Sequence, residues 1–232
     1  MRRFSSLAAI LGLLLGMIAG ARLASARDEM AGMTMSSSAI SHHMALTDLR
    51  APQPGDRARA DAIVLGAKAA MKRWPDVASV EAAGFTKFAP GVSLPIEHYT
   101  SMTFARAALE GKIDPEHPSS MIFERHGSAL TLVGVMYTAA RTAPEPQLDA
   151  MAPLSIAQWH KHVNFCMPAS GTRGDKRFGL GGSIDSQAEC SAAGGRWMPQ
   201  VFGWMVHVWP LEHDRKDIWA VDHHGDDHTM AM

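Results

Sequence analysis

The stretch Trp159-His160-Lys161-His162-Val163-Asn164-Phe165-Cys166 decides how the rest of this sequence is interpreted. In an extended strand, side chains two residues apart share a face. His160 and His162 would therefore project together, with Cα atoms roughly 7 Å apart. Two neutral imidazoles in this arrangement suit a divalent transition metal. The stretch predicts a β-strand that carries two metal ligands.

Two other segments offer ligands of the same kind. The stretch Phe202-Gly203-Trp204-Met205-Val206-His207-Val208-Trp209 predicts a second strand, in which Met205 and His207 share a face. His207 has apolar neighbours, where a buried imidazole needs a metal or a carbonyl as its partner. His98, in Glu97-His98-Tyr99, is a fourth candidate. Three histidines with an open position are typical of a catalytic metal and four closed ligands of a structural one, so both arrangements stay open.

The first 26 residues have the pattern of an export signal. Arg2 and Arg3 precede an apolar run over residues 7–19, and Ala24-Ser25-Ala26 is a small-residue cleavage site. The apolar run is too short to span a membrane. We therefore expect cleavage near Ala26 and a soluble periplasmic or secreted protein with no membrane span.

Charge and composition exclude some partners. The full chain has a net charge of −1, and the predicted signal contains Arg2, Arg3 and Arg22 but no acid, so the mature chain is three units lower, at −4. The sequence shows no basic stripe, which argues against a nucleic-acid partner. Roughly 200 residues, about half of them apolar, can bury one core, and we expect a single domain.

The two cysteines, Cys166 and Cys190, predict a disulfide in an oxidising compartment. On the loop-entropy estimate, closing a loop of about 25 residues contributes roughly 3.5 kcal/mol. The alternative is that the Cys166 thiolate binds the metal.

Both ends of the mature chain are rich in methionine and histidine. Residues 27–55 have no apolar periodicity and predict a flexible segment, and residues 222–232 predict a second tail of His, Met and Asp. Thioether and imidazole groups together suit copper, especially Cu(I). We expect His223 and His224, with Met205, to act as accessory metal ligands.

Residues 56–221 predict one α+β domain. Apolar residues at helical spacing begin at Asp56, and Trp74-Pro75 should end this helix and start a shorter one. Residues 120–124 and 130–138 predict a hairpin, residues 196–209 a long strand, and residues 218–221 a last edge strand. We expect the helices to pack on a mainly antiparallel sheet.

Several segments together resemble a group of bacterial exported proteins that have no assigned activity. They are Ala82-Ala83-Gly84-Phe85, His98-Tyr99, Leu132-Val133-Gly134-Val135-Met136-Tyr137 and Trp204-Met205-Val206-His207-Val208-Trp209. The resemblance covers most of residues 56–212. It implies one exported domain of mixed helix and sheet, and it carries over no functional residue.

Other sites that bind metals or carry out catalysis are poorly matched. Cupins also have a His-x-His pair, but Cys166 stands where they place an acid and Leu154 where they place a glycine. The chain has no Gly-x-Ser-x-Gly elbow of a serine hydrolase and no glycine loop that opens a helix to hold phosphate.

The leading hypothesis is a periplasmic binding protein for a transition metal, copper first and zinc second, with His98, His160, His162 and His207 as ligands. One alternative is a metal-dependent enzyme that uses the same histidines with one position open. Another is an exported binding module whose histidines are structural. The sequence identifies no protein partner.

Overall fold

The computed structural model describes residues 42–91, 93–169, 175–179 and 181–222, which form six helices and eight strands. The helices are α1 (Asp56–Arg73), α2 (Val77–Ala82), α3 (Met102–Ala108), α4 (Glu145–Met151), α5 (Gln187–Ala192) and α6 (Arg215–Ile218). The strands are β1 (Met44–Leu46), β2 (Thr86–Lys87), β3 (Ile96–Thr100), β4 (Ser120–His126), β5 (Ala129–Ala139), β6 (His160–Met167), β7 (Arg196–Gln200) and β8 (Trp204–Val208).

All eight strands belong to one antiparallel arrangement. Their order is β1-β6-β8-β5-β4-β3-β2, and β7 pairs with β6 beside this path. The strand β8 therefore lies between β6 and β5, although it comes last in the chain. The prediction of an α+β fold with a mainly antiparallel sheet is confirmed.

The first two helices form as their sequence predicts. Residues of α1 are buried at helical spacing, among them Ala60, Ile63 and Ala67. The helix ends at Trp74-Pro75, and Asp76 caps α2 by accepting a hydrogen bond from the Ser79 backbone N–H. Both helices contribute to the main core.

The sheet has two distinct faces. We call the first the helix face, because its residues form the main core with α1, α2 and α4. We call the second the histidine face, because His98, His160 and His207 project from it. Alternation along the strands assigns the residues: on β8, Val206 lies on the helix face and Met205 in a smaller cluster on the histidine face.

Three predictions about boundaries need correction. The fold begins before residue 56, because β1 pairs with β6 and Thr47 is buried. The single strand predicted over residues 196–209 is two strands, β7 and β8. The predicted edge strand over residues 218–221 is wrong, because α6 ends at Ile218 and the next residues lie over the histidine face, where Ala220 contacts the smaller cluster.

The predicted disulfide between Cys166 and Cys190 is confirmed, with the two Cα atoms 5.6 Å apart. Both cysteines are fully buried in a small cluster with Phe178 and Ile184. The alternative of a thiolate ligand at Cys166 is therefore wrong. Disulfides of this kind are typical of oxidising compartments.

We find no helix among the described residues that is long and apolar enough to cross a bilayer.

Candidate metal centre

The four predicted ligands lie side by side on the histidine face. The ring centroids of His160 and His207 are 4.8 Å apart, those of His98 and His207 5.7 Å, and those of His160 and His162 5.8 Å. The rings thus follow one another in the order 98, 207, 160, 162. Residues from three separate strands form one continuous cluster, which we call the histidine cluster.

The contact between His98 and His207 shows that the histidine face is concave. The strands β4 and β5 lie between β3 and β8, so a flat sheet would separate these two residues by three strand spacings, roughly 14 Å. Two features favour the bend. The pairing of β4 with β5 shifts its register after Ile122, and such irregularities bend strands.

Gly134 is the second feature that allows the bend. A Cβ atom at this position would lie 2.5 Å from Trp209 Cε3 and 2.8 Å from the carbonyl oxygen of Val208. Trp209 can therefore fill the concave side only because residue 134 has no side chain. Its ring centroid lies 5.3 Å from that of His207, so Trp209 forms part of the floor of the cluster.

Backbone groups orient two of the four rings. His207 Nδ1 donates a hydrogen bond to the carbonyl oxygen of Val221 at 2.6 Å, which leaves the lone pair on Nε2. The ring of His162 is hydrogen-bonded to the backbone of His43. Histidines that bind metals are commonly held in this way by their second nitrogen.

His160, at the middle of the cluster, is 1% exposed, and its Nδ1 has no hydrogen-bond partner among the residues that the structure describes. Leaving a buried polar atom unpaired costs roughly 1–3 kcal/mol. Within the described ranges the neighbouring Trp159 also has an unpaired Nε1, but an indole N–H only donates and cannot bind a metal. An imidazole nitrogen with its lone pair can.

All four rings are neutral at neutral pH. Burial, followed by the imidazoles of His207 and His162, lowers the pKa of His98 to about 3. Burial also lowers the pKa of His162 and that of His207 to about 4, and the pKa of His160 lies well below its usual range. Neutral imidazoles are the form that binds metals.

Consecutive rings in the row have the spacing of metal ligands, but the four rings do not yet surround one point. With metal–nitrogen bonds of about 2.0–2.1 Å, imidazoles around one tetrahedral ion have centroids roughly 5 Å apart. Even so, no three His, Cys, Asp or Glu side chains within the described residues are placed to hold a metal ion. Binding at the cluster therefore requires the rings to turn about their side-chain torsions.

The adjacent acid, Glu97, does not belong to the cluster. It follows the alternation of β3 to the helix face, where its side chain is fully buried and paired with Arg125 and with Lys87, whose Nζ lies 2.9 Å from Oε2. It is thus not positioned as a base for chemistry at His98.

Sequence analysis missed three residues around the cluster. Met44 pairs with His162 across β1 and β6, and Met136 pairs with His207 across β5 and β8. His43 is buried, with its two ring nitrogens at 2.9 and 3.0 Å from the carbonyl oxygens of Asn164 and Gly182. These contacts join distant parts of the chain, and the Met/His composition of residues 27–55 hinted at two of the three residues, His43 and Met44.

The predicted accessory ligands divide into two groups. Met205 is buried on the histidine face, opposite His160 on the neighbouring strand. His223 and His224 lie outside the described residues.

No protein-family model, curated protein or solved structure matches this chain. The resemblance to bacterial exported proteins therefore stays a prediction.

Proposed function

We propose that this protein binds a transition-metal ion, copper in preference to zinc, at the histidine cluster. The observation that carries the proposal is the buried Nδ1 of His160, which no described residue pairs and which lies between two other imidazoles at ligand spacing. A fold gains nothing from leaving this atom unpaired, and a metal ion would satisfy it. The disulfide and the predicted signal support a periplasmic or secreted location.

The two predicted Met/His segments join the fold beside the cluster. His43 contacts His162 at the N-terminal side, and the carbonyl of Val221 accepts the hydrogen bond from His207 at the C-terminal side. We therefore assign residues 27–41 and 223–232 a role in capturing the ion before it reaches the cluster.

A metal-dependent enzyme is the second candidate function. His98, His162 and His207 are only half-buried, so an ion at the cluster could keep one position open to solvent. Two open grooves that flank α1 at Lys68 and Lys72 do not contact the cluster, so neither points to a substrate of this site.

Metal analysis of untagged protein tests the proposal. We expect about one copper or zinc ion per chain, as four imidazoles would hold, and loss of this ion in the double variant His160→Ala plus His162→Ala. The matched control is His126→Ala plus His213→Ala, which removes two exposed histidines outside the cluster.

The outcomes separate the hypotheses. Retention of metal by the control and loss by the double variant support the proposal. Equal, substoichiometric metal in all three proteins would mean that the histidines are structural. A bound water on the ion would favour the enzyme over the binding protein.

A further inference from the structure

Three of the four clustered histidines have a methionine directly opposite on a neighbouring strand. Met44 faces His162, Met205 faces His160, and Met136 faces His207. Directly paired residues of antiparallel strands point to the same face, with Cβ atoms about 4.5–5.5 Å apart. The histidine cluster is therefore bordered by three thioethers from β1, β5 and β8.

The burial of these methionines distinguishes them from surface residues. Met136 and Met205 are 8% and 7% exposed and share one apolar cluster with Ile122 and Trp209. Met44 is half-buried on the edge strand. Buried methionines also occur in the helix-face core, at Met71, Met121 and Met151. What distinguishes Met44, Met136 and Met205 is that each lies directly opposite an imidazole.

The electrostatics of the cluster favour an ion of low charge. The ligands proposed for the cluster are imidazoles, and the adjacent carboxylate of Glu97 is committed to Arg125 and Lys87 on the other face. Imidazole and thioether ligands bring no negative charge. Because the Born cost of burying an ion rises with the square of its charge, a divalent ion costs about four times as much as a monovalent one.

We infer that the cluster takes copper as Cu(I), and that Met44, Met136 and Met205 select this ion over Zn(II). This inference rests on the proposed function and specifies which metal ion the cluster binds. Thioethers are soft ligands that prefer Cu(I), whereas Zn(II) can bind to imidazole nitrogens without a thioether ligand. A site of neutral imidazoles and thioethers thus combines the donor softness and the low charge that a cuprous ion requires.

The test is a pair of competition titrations on untagged protein. Cu(I) affinity is measured without oxygen, in ascorbate, against the chromophoric chelator bicinchoninate, and Zn(II) affinity against a chromophoric zinc chelator. The variant is Met44→Leu plus Met136→Leu plus Met205→Leu, because exchange of Met for Leu nearly conserves volume. The matched control is Met71→Leu plus Met121→Leu plus Met151→Leu, three buried methionines of the helix-face core.

We expect the variant to lose Cu(I) affinity by about tenfold or more, equivalent to about 1.4 kcal/mol, and to keep its Zn(II) affinity. The control should bind both ions like the wild type, and circular dichroism should show that both triple variants fold. Equal Cu(I) affinity in the variant and the wild type would overturn the inference, as would tighter wild-type binding of Zn(II) than of Cu(I).

These results are distinguishable from failure of the proposed function. If the His160→Ala plus His162→Ala protein binds both ions as the wild type does, the histidine cluster is not the metal site. If that protein loses both ions while the methionine variant loses neither, the histidine site stands and only the role of the thioethers is refuted.

Discussion

Two consecutive residues of β3 show how differently the two faces of the sheet treat buried polar groups. Glu97 on the helix face has no exposed side-chain surface, and each carboxylate oxygen faces a cation, Arg125 or Lys87. His98 on the other face contacts another imidazole. The most buried ring of its cluster, His160, has a nitrogen that no residue in the described part of the chain pairs.

The difference in how the two faces pair their buried polar groups indicates where a ligand binds. Buried polar groups that serve the fold are paired, because an unpaired group costs free energy without return. The helix face follows this rule at Glu97. Among the described residues, two buried nitrogens depart from it, Trp159 Nε1 in the main core and His160 Nδ1 in the histidine cluster. Only the imidazole nitrogen has a lone pair that a metal ion can bind, so His160 marks the site that a ligand completes.

The largest effect we expect to separate the faces is a dependence of stability on pH. Folding lowers the pKa of His98 to about 3 and that of His162 and of His207 to about 4, whereas unfolded histidine titrates near 6.5. Between these values the unfolded chain binds more protons, so the stability of the metal-free protein is lost as pH falls from about 6.5 to about 4.

Each ring contributes up to about 1.4 kcal/mol per pH unit in this window, and the half-buried rings of His98, His162 and His207 contribute less than His160 because solvent partly screens them. Urea unfolding of metal-free protein at a series of pH values measures the slope. The His160→Leu variant should show a smaller slope. An unchanged stability down to pH 4 would contradict the burial of four neutral imidazoles.

The next effect tests the helix face. We expect Glu97→Gln to lower the free energy of unfolding by about 3 kcal/mol, because Arg125 and Lys87 would face a neutral amide. The side chains of Arg125 and Lys87 are partly exposed, so water can solvate their charges after the change. The loss of stability is therefore at the lower end of the range for a broken buried ion pair. Metal content should not change, and a loss of metal would place Glu97 in the site after all.

A comparable effect is expected at the disulfide, which anchors the end of β6 away from the histidines. The variant Cys166→Ser plus Cys190→Ser should lose about 3 kcal/mol of stability, chiefly because the unfolded chain is no longer constrained. Denaturant unfolding measures the loss. Because neither sulfur touches the cluster, metal bound per folded chain should equal that of the wild type.

The smallest effect is the most diagnostic of the histidine face. Replacing His160 by Leu removes a buried unpaired nitrogen and keeps a similar volume, so the metal-free protein should gain about 1 kcal/mol. Thermal unfolding of metal-free protein should show a higher melting temperature together with loss of metal binding. A marked destabilisation would mean that His160 has a structural partner.

Much of this site follows from alternation along strands. That rule places His160 with His162 on one face of the sheet and separates Glu97 from His98. A second local rule, the break at Trp74-Pro75, predicts where the first helix ends and the second begins. Local patterns are sufficient here because each rule involves neighbouring residues only.

The remaining features depend on contacts between distant residues. Three residues of β1 are too few to show a period, and β1 is held by pairing with β6. The curvature that joins His98 to His207 depends on Gly134 and a register shift, which no local pattern reveals. Residues 218–221 resemble a strand in sequence because they are apolar. In the structure, however, the carbonyl oxygens of Ala220 and Val221 accept hydrogen bonds from the side chains of Trp209 and His207.

The most direct test of the central claim is anomalous diffraction at the copper edge from crystals of the untagged protein loaded with copper. We predict one strong anomalous peak within bonding distance of His160 and His207, with the rings turned toward it. Copper located only at exposed histidines such as His126 or His213, with the four clustered rings unmoved, would contradict the account.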